Sequence, residues 1–393
     1  MARGEDWRGR VALALSGAAC LIVAHPAQAR EDGAVQLSGA YTAEAWRNVR
    51  GGLRKGSAYL DNLELAAQAQ VTPAPGWRPA RVRVSGFLNN AQTLSNSIVG
   101  DLQSISSKDT DGGARLYEAW VKQDLGAASL KLGRIDLNNE FNVNRTGGLF
   151  INGAQGIGLD VSQMANDGAS LFPDTSLGAV ATAGLSKGWT LRLGGFDGAP
   201  HDRGPPPNTA PEFEEGHGAF LIAEAAYETP GGTRLTLGAW RHTAKFARLM
   251  QPSRPGRAGG AYGLVEWTVA RGGERRLEAS ARIGLADPRT QQIAAHLSAG
   301  VVLTRPFLGA DEEAIGLALA VAVNGDDFRR AERRAGVPVR RGETNLELTY
   351  RFAPTPWLHL QPDVQYVIHP GAVRDRKNAL VVGLRATISW SSD

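Results

Sequence analysis

The feature that most constrains this chain is an alternation of apolar and polar residues with a period of two, which recurs from near residue 35 to the C-terminus. In residues 380–390, Leu384 and Trp390 belong to the apolar even positions, whereas Arg385 and Thr387 belong to the mostly non-apolar odd positions. Successive side chains of a β-strand point to opposite faces, so such a segment has one apolar face and one polar face. The pattern therefore predicts an all-β chain.

Sixteen segments carry this alternation, and the least regular stretch lies between about residues 135 and 171. The segments span residues 35–48, 57–72, 80–91, 113–125, 127–135, 176–186, 188–198, 215–229, 231–243, 258–271, 275–286, 291–305, 312–325, 342–353, 356–368 and 378–390. A closed bacterial outer-membrane barrel has an even number of strands. The count fits a transmembrane antiparallel β-barrel of 16 strands.

Composition excludes two other classes of protein. Past the N-terminus, no apolar run in the 393 residues approaches the roughly 18 to 20 that a membrane-spanning helix needs. The formal charge is +4, but Lys and Arg are spread in ones and twos without the clustered basic face of a nucleic-acid-binding protein. We therefore expect neither a helical membrane protein nor a nucleic-acid partner.

The N-terminus has the three parts of a signal peptide. Three arginines precede an apolar segment at residues 11–23, and an Ala-Gln-Ala sequence ends at Ala29. We expect residues 1–29 to be removed and residues 30–393 to form one barrel domain. A lipoprotein anchor at Cys20 is the alternative, but the apolar segment continues beyond this cysteine, which disfavours it.

A soluble β-sandwich also contains many strands with one apolar face. The connections between strands distinguish it from a transmembrane barrel. Short turns at residues 125–127 and 186–188 contrast with long polar connections, at 92–112, 199–214, 244–257 and 326–341. Short periplasmic turns and long outer loops are typical of outer-membrane barrels. Tyr and Trp residues also fall near the segment ends, where a barrel meets the two membrane interfaces.

Several motifs resemble the carbohydrate-selective porins of the OprB family. They lie at residues 132–141, 343–352, 356–358, 361–371 and 379–385. The resemblance covers about residues 38 to 390 and implies a sixteen-stranded channel in the outer membrane of a Gram-negative bacterium. One departure is that such barrels usually finish on an aromatic residue, whereas here Trp390 is followed by Ser391, Ser392 and Asp393.

The resemblance also implies the function and the partners. Sugars such as glucose would diffuse passively into the periplasm, with no cofactor. The expected partners are outer-membrane lipid, lipopolysaccharide and the barrel-assembly machinery, and the barrel works either alone or as a homotrimer.

The polar face should line the channel, because sugar hydroxyls both donate and accept hydrogen bonds. The residues with inward parity are Arg81, Arg83, Arg192, Arg282, Glu347, Arg351, His359, Gln361, Asp363, Gln365 and Arg385. Each of them has a second interpretation, since Arg–carboxylate pairs also stiffen the wall of any water-filled pore.

Four further candidates match the internal motif of the OprB family and follow a strand end. They are Arg134, Asp136, Asn139 and Phe141. These residues belong either to an inward-folded constriction that contacts the solute or to a turn that does not.

Other functions fit the sequence less well. The histidines show no metal-binding spacing and there is no G-x-S-x-G motif, so we do not expect an enzyme. A general or anion-preferring porin is the stronger rival, since arginine is in surplus on the inner face. A structural or adhesive barrel would conduct no current, whereas sugar block of a current would support the carbohydrate channel.

We predict a mature protein that begins at Arg30 in the outer membrane. Its gel mobility should change on boiling, because a closed barrel has no free strand edge and resists detergent. N-terminal sequencing and paired gels of heated and unheated samples test this. A chain that starts at Met1, or mobility that heat leaves unchanged, would contradict it.

Overall fold

The computed structural model describes residues 35–72, 78–164, 168–200, 216–310, 312–337 and 339–392. The predicted signal peptide, its cleavage site and most of the predicted loop at 199–214 lie outside these residues. Among the described residues, none of the helices is long and apolar enough to cross a membrane.

Sixteen antiparallel strands close into one barrel, as the alternation predicted. The barrel strands are β1 (Gln36–Arg50), β2 (Gly56–Val71), β3 (Ala80–Asn89), β4 (Gly113–Asp124), β5 (Ala128–Ile135), β6 (Ser176–Gly184), β7 (Trp189–Asp197), β8 (Ala219–Glu228), β9 (Arg234–His242), β12 (Gly259–Gly272), β13 (Arg275–Ala286), β14 (Ile293–Thr304), β15 (Ala314–Asn324), β16 (Gly342–Thr355), β17 (Leu358–Ile368) and β18 (Ala379–Ser391). Between β9 and β12, the short strands β10 (Phe246–Arg248) and β11 (Gln251–Gly256) form a separate hairpin.

The helices are short and lie in the connections. They are a π-helix (Ser95–Val99), the α-helices α1 (Gly153–Gly156), α2 (Leu159–Ser162) and α3 (Asp326–Arg334), and the 3-10 helices Leu137–Asn139, Gly147–Leu149, Ser186–Gly188 and Pro370–Ala372. Among the described helices only α3 exceeds two turns, and it lies in the predicted polar connection at 326–341.

The barrel closes where β18 pairs with β1. The pairing extends from Ser38 opposite Ser391 to Arg50 opposite Leu380. Ser392 extends this ladder, because its backbone N–H donates to the Leu37 carbonyl at 2.7 Å. The residues that follow Trp390 therefore continue the closing seam in the described part of the C-terminus.

A glycine on β18 lets an aromatic ring lie against the inner wall. A Cβ built at Gly383 would fall 2.2 Å from the Trp46 ring, which lies across it on β1. Trp46 is 2% exposed, and its indole N–H donates to Glu44 at 2.6 Å. The glycine thus makes room for a buried anchor beside the closing seam.

The wall is inside out relative to a soluble protein. On β16, Leu346 and Leu348 are 38% and 48% exposed on the outside, whereas Asn345 and Glu347 are fully buried on the inside. Apolar residues that face out and polar residues that face in are the arrangement of a membrane barrel. The predicted face assignment is confirmed.

The two ends of the barrel differ. One end holds both described termini and short connections such as residues 125–127, 273–274 and 356–357. The other end holds the long connections, at residues 90–112, 136–175, 243–258 and 325–341. Outer-membrane barrels have short turns on the periplasmic side, so the long connections are extracellular.

Two of the long connections fold into the barrel rather than away from it. We call residues 90–112 the first inward segment and the described residues 136–164 and 168–175 the second inward segment. Apolar side chains from both segments are buried against inward wall residues: Leu94, Ile98 and Ile105 near Trp46 and Val381, and Leu137, Phe141 and Met164 near Phe196 and Trp240. Each fully buried side chain of this size stabilises the packing by about 1.5 to 3 kcal/mol.

We expect Leu384→Arg to impair assembly of the barrel, because the change places a charge on the lipid face near the middle of β18. The cost is roughly 2 to 4 kcal/mol at the midplane. Thr387→Arg is the matched control on the same strand, since Thr387 faces the lumen beside Thr42. The heat-modifiable fraction in outer-membrane extracts measures assembly, and equal tolerance of both changes would contradict the face assignment.

Candidate functional site

The two inward segments meet inside the barrel and bind each other through their backbones. The Ser107 N–H donates to the Ile151 carbonyl at 2.9 Å, and the Gly153 N–H donates to the Ser104 carbonyl at 3.0 Å. The Gln163 side chain donates to the Leu102 carbonyl at 2.6 Å. Together the segments form one constriction across the lumen.

The second inward segment begins at a carboxylate that caps its first helical turn. Asp136 accepts a hydrogen bond from the Asn138 N–H at 2.8 Å and another from the Tyr117 hydroxyl. Burial raises the pKa of Asp136 to about 6. This predicted site residue therefore fixes the direction in which the chain leaves β5.

Arg282 of β13 fastens α2 to the wall. Its Nη1 and Nη2 lie 2.8 and 3.0 Å from Oδ1 and Oδ2 of Asp160, and its Nε donates to Asn142 Oδ1 at 2.8 Å. A Cβ at Gly284 would fall 2.2 Å from Asp160, so glycine is needed for this approach. The ion pair is almost wholly buried and cannot contact a solute.

Three predicted pathway residues on β16 and β17, three and four strands from β13 in the barrel, also hold the constriction. Glu347 accepts from the backbone N–H groups of Ile151 and Asn152, at 2.5 and 3.2 Å. Gln361 donates to the Leu149 carbonyl at 2.7 Å, and Gln365 donates to the Ile105 carbonyl at 2.7 Å. These polar side chains therefore brace both inward segments.

Two further carboxylates brace the second inward segment, and the sequence did not single them out. Glu224 accepts from the Asn142 N–H at 2.8 Å and also binds the predicted Arg192 at 3.1 Å. Glu266 accepts from the Thr146 N–H at 3.1 Å. Their inward parity could have identified them as lumen residues, but not as braces.

Four of the predicted residues do not face open space in the constriction. Phe141 is fully buried against Phe196, and Arg134 is buried where it donates to the Thr175 carbonyl. Asp363 accepts from Gln365 at 3.0 Å and is 2% exposed. Arg81 lies toward the periplasmic end, 3.5 Å from Asp124.

Three further predicted residues are exposed or half-buried. Asn139 is exposed at the end of the Leu137–Asn139 turn. Half-buried Arg351 faces inward on β16, and its buried Nε has no hydrogen-bond partner among the described residues. His359 on β17 contacts Glu312.

Two of the predicted arginines lie next to the constriction and remain partly open to it. Arg83 is 25% exposed, and lies 3.4 Å from Glu118 and 3.7 Å from Glu64. Arg385 is 15% exposed; it lies 2.6 Å from Glu44 and donates to the hydroxyls of Ser106 and Ser107 at 3.4 Å. Both guanidinium groups are held in place by carboxylates.

A cavity of about 220 Å³ lies between the two inward segments. Its walls combine an aromatic ring with hydroxyl, amide and carboxylate groups, from Phe172, Ser104, Ser106, Ser107, Gln103, Asn138, Gln163, Asp109 and Asp136 among others. The described residues include no cluster of His, Cys, Asp and Glu that could hold a metal ion. The cavity thus presents hydrogen-bonding groups beside one aromatic ring.

Phe172 belongs to an aromatic group that sequence reasoning missed. Its ring centroid lies 4.9 Å from that of Phe87 and 6.0 Å from that of Tyr117. The Lys108 Nζ lies 4.9 Å from the Phe172 centroid, and burial lowers the pKa of this ammonium group. Phe172 and Lys108 both lie in irregular segments, where the sequence has no alternation with a period of two.

Comparison with known proteins agrees with this architecture. The family described as carbohydrate-selective porin, OprB family, matches residues 54–390. Porin B of Pseudomonas aeruginosa is 26% identical over 394 aligned residues, which cover 88% of this chain and 85% of that protein.

Solved structures of similar fold include the high-pH structure of Pseudomonas putida OprB. That comparison has a TM-score of 0.79 and 22% identity, and covers 91% of this chain and 94% of the other. The outer-membrane channel DcaP of Acinetobacter baumannii gives a TM-score of 0.56 at 11% identity, with coverage of 91% and 97%. At these identities the likeness is one of fold.

The family match extends over most of the barrel and agrees with its closed sheet of sixteen strands and its lipid-facing apolar surface. The chain therefore belongs to the OprB family of carbohydrate-selective porins, which are channels of the Gram-negative outer membrane.

Proposed function

We propose that small sugars such as glucose diffuse passively into the periplasm through the cavity between the two inward segments. The observation that carries this proposal is the combination of the Phe172 ring with hydroxyl, amide and carboxylate groups around about 220 Å³. Ligand pockets for larger, drug-sized molecules are usually about 300 to 1,000 Å³. The small volume favours monosaccharides.

The chemistry of the walls suits a sugar. A pyranose has an apolar C–H face that packs on an aromatic ring, and hydroxyls at its rim that both donate and accept. Phe172 supplies the ring, Asn138 and Ser106 supply groups of both kinds, and Asp136 accepts. Lys108 and the partly exposed Arg83 and Arg385 add charged donors nearby.

The braces keep the cavity narrow. Arg282, Glu347 and Gln365 attach the inward segments to three strands of the wall, β13, β16 and β17. A channel selects by the width and the hydrogen-bonding groups of its narrowest part, so fixed segments make selection reproducible. We assign these three residues to positioning rather than to sugar contact.

We also propose that residues 1–29 direct export, that the barrel-assembly machinery inserts residues 30–393, and that lipopolysaccharide surrounds the extracellular end. The charged sequence before the apolar segment supports the first point. The closed sheet with an apolar outer surface supports the second. The proposed sugar path lies within one barrel, so each chain would conduct even if copies assemble as a trimer.

An anion-preferring porin is the second candidate function. Lys108 and Arg351 favour it, because neither forms a salt bridge with a carboxylate of the described residues. An unpaired cation in a channel raises the local concentration of anions. The arginines nearest the constriction favour the sugar channel instead, since each is paired with a carboxylate.

We expect Arg83→Ala or Arg351→Ala to weaken block of the ion current by glucose about tenfold or more. A solute that must leave quickly binds in the millimolar range, roughly −4 kcal/mol. Loss of a charge-assisted donor removes about 1.5 to 3 kcal/mol of this binding free energy. Glucose titration of reconstituted channels measures the block.

The control for this experiment is Arg241→Ala, since Arg241 is exposed on the outer wall of β9. Reversal potentials in a salt gradient are recorded for the same channels. If glucose fails to block the wild-type current while loss of arginine shifts the reversal potential, the general or anion-preferring porin replaces the sugar channel.

We expect Arg282→Met to enlarge the path, because it leaves Asp160 buried without its partner. Breaking a buried pair in this way costs about 3 to 5 kcal/mol, whereas removal of both charges is often tolerated. Conductance and the size limit for neutral polymers should therefore rise in Arg282→Met and return toward wild type in the double variant Arg282→Met, Asp160→Leu. Unchanged conductance in the single variant would show that this pair does not set the width.

A further inference from the structure

The outer wall has a groove at the extracellular end of β1, β2 and β18. Ala45 and Leu384 lie at its apolar lower end, Arg47 lies at its upper end, and Tyr59 borders it. Arg47 points outward and is exposed, and its neighbours across the sheet are Ser57 on β2 and Val382 on β18. The groove therefore runs from the lipid-facing belt to a cationic group at the extracellular boundary.

More cations surround the upper end of this groove. Arg50, Arg54 and Lys55 are exposed in or beside the turn between β1 and β2. Lys377 adjoins this turn, since its carbonyl accepts from the Gly52 N–H at 2.9 Å. In the described part of the chain, none of these side chains forms a salt bridge with a carboxylate, and we call Arg47, Arg50, Arg54, Lys55 and Lys377 the basic sector.

Few carboxylates offset the basic sector. Asp61 lies on the same outer wall, paired with Ala43 of β1. Ala43 is four residues before Arg47, so Asp61 lies about 13 Å from Arg47 along the strand direction. Asp61 already accepts from the Asn90 N–H at 3.0 Å and from the Tyr41 hydroxyl at 3.4 Å. The exposed Asp375 lies in the β17–β18 connection. The five cations outnumber these two carboxylates, and the sector carries a positive field.

We propose that the basic sector binds the phosphate groups of a lipopolysaccharide molecule, with an acyl chain in the groove below Arg47. The occupant must combine an apolar chain, which fits Ala45 and Leu384, with several phosphates, which match a cluster of cations. Lipopolysaccharide has both features and occupies the leaflet at this end of the barrel. A phospholipid also has an acyl chain and a phosphate, but it has one phosphate where lipopolysaccharide has several.

Arg50 is positioned for this role by an aromatic residue. Its Nη2 donates to the Tyr366 hydroxyl at 3.3 Å, and its guanidinium carbon lies 5.9 Å from the centre of the same ring. Tyr residues concentrate where a barrel crosses the membrane interface. The contact therefore holds a guanidinium at the depth of lipid headgroups, with donors left for a phosphate.

The test compares lipid binding by the full-length chain purified from outer membranes, measured by native mass spectrometry. The triple variant Arg47→Ala, Arg50→Ala, Lys55→Ala should bind lipopolysaccharide about a hundredfold more weakly than the wild type. This follows because the loss of each cation should weaken binding about fivefold. Its control, Arg271→Ala, Arg275→Ala, Arg276→Ala, removes the same charge from the exposed periplasmic turn between β12 and β13 and should bind as wild type does.

Three probes identify the ligand: lipopolysaccharide, the same lipopolysaccharide after phosphatase treatment, and phosphatidylglycerol. Preference of the wild type for the phosphorylated form, lost in the triple variant, supports the proposal. Equal binding by the triple variant and the wild type overturns it, as does equal binding of the dephosphorylated form. Equally tight binding of phosphatidylglycerol at the sector would overturn the assignment to lipopolysaccharide.

Folding and sugar transport are followed separately. Heat-modifiable mobility shows whether the triple variant assembles; if it does not, Arg47→Gln alone should weaken binding about fivefold, and unchanged binding overturns the proposal. Conductance and glucose block should stay at wild-type values in the triple variant, because the sector lies outside the lumen. Absence of glucose block in the wild type would refute the proposed sugar path and leave the lipid result standing.

Discussion

Closure of the sheet between β1 and β18 is the contact on which the other features of this molecule depend. Hydrocarbon offers no partner for backbone N–H and C=O groups, so a sheet can cross it only when the first and last strands pair. The ladder from Ser38–Ser391 to Arg50–Leu380 completes that pairing. Closure in turn places the apolar side chains outside, as Leu346 and Leu348 show, and leaves a polar interior that cannot pack by burial of its own wall residues.

The two inward segments solve that packing problem and create the functional site at the same time. They bring apolar side chains such as Leu94, Ile105 and Phe141 into the lumen and bury them there. Several polar wall residues then have a defined partner on these segments, as Arg282 has in Asp160 and Glu347 has in the backbone of Ile151. Buried ion pairs add little net stability, but they fix geometry because a displaced partner would leave a charge unpaired. The width of the path therefore depends on the same contacts that fill the barrel.

The sequence predicted the wall well and the constriction poorly, for one physical reason. Wall residues obey a period of two, so the segment predicted at 275–286 coincides with β13, and the inward parity of Arg282 and Gln365 was correct. Parity shows which face of a strand a side chain is on, but not whether that side chain has a partner. The partner of Arg282 is Asp160, which is 122 residues away in the sequence and lies outside any strand. Phe172 and Lys108 gave no signal, because inward segments contact the wall on several sides and follow no period.

Charge pairing at the constriction bears on what the channel can select. Arg83 lies between Glu64 and Glu118, and Arg385 lies against Glu44, so these guanidiniums offer N–H donors while their charges are largely offset. The field of a paired charge falls off faster with distance than that of a lone one, so paired donors act at contact range rather than by long-range attraction. Neutral hydroxyls gain from a donor at contact range, whereas anions gain most from an unpaired charge. The pairing of these arginines is thus a reason for a sugar to be preferred over an ion of similar size.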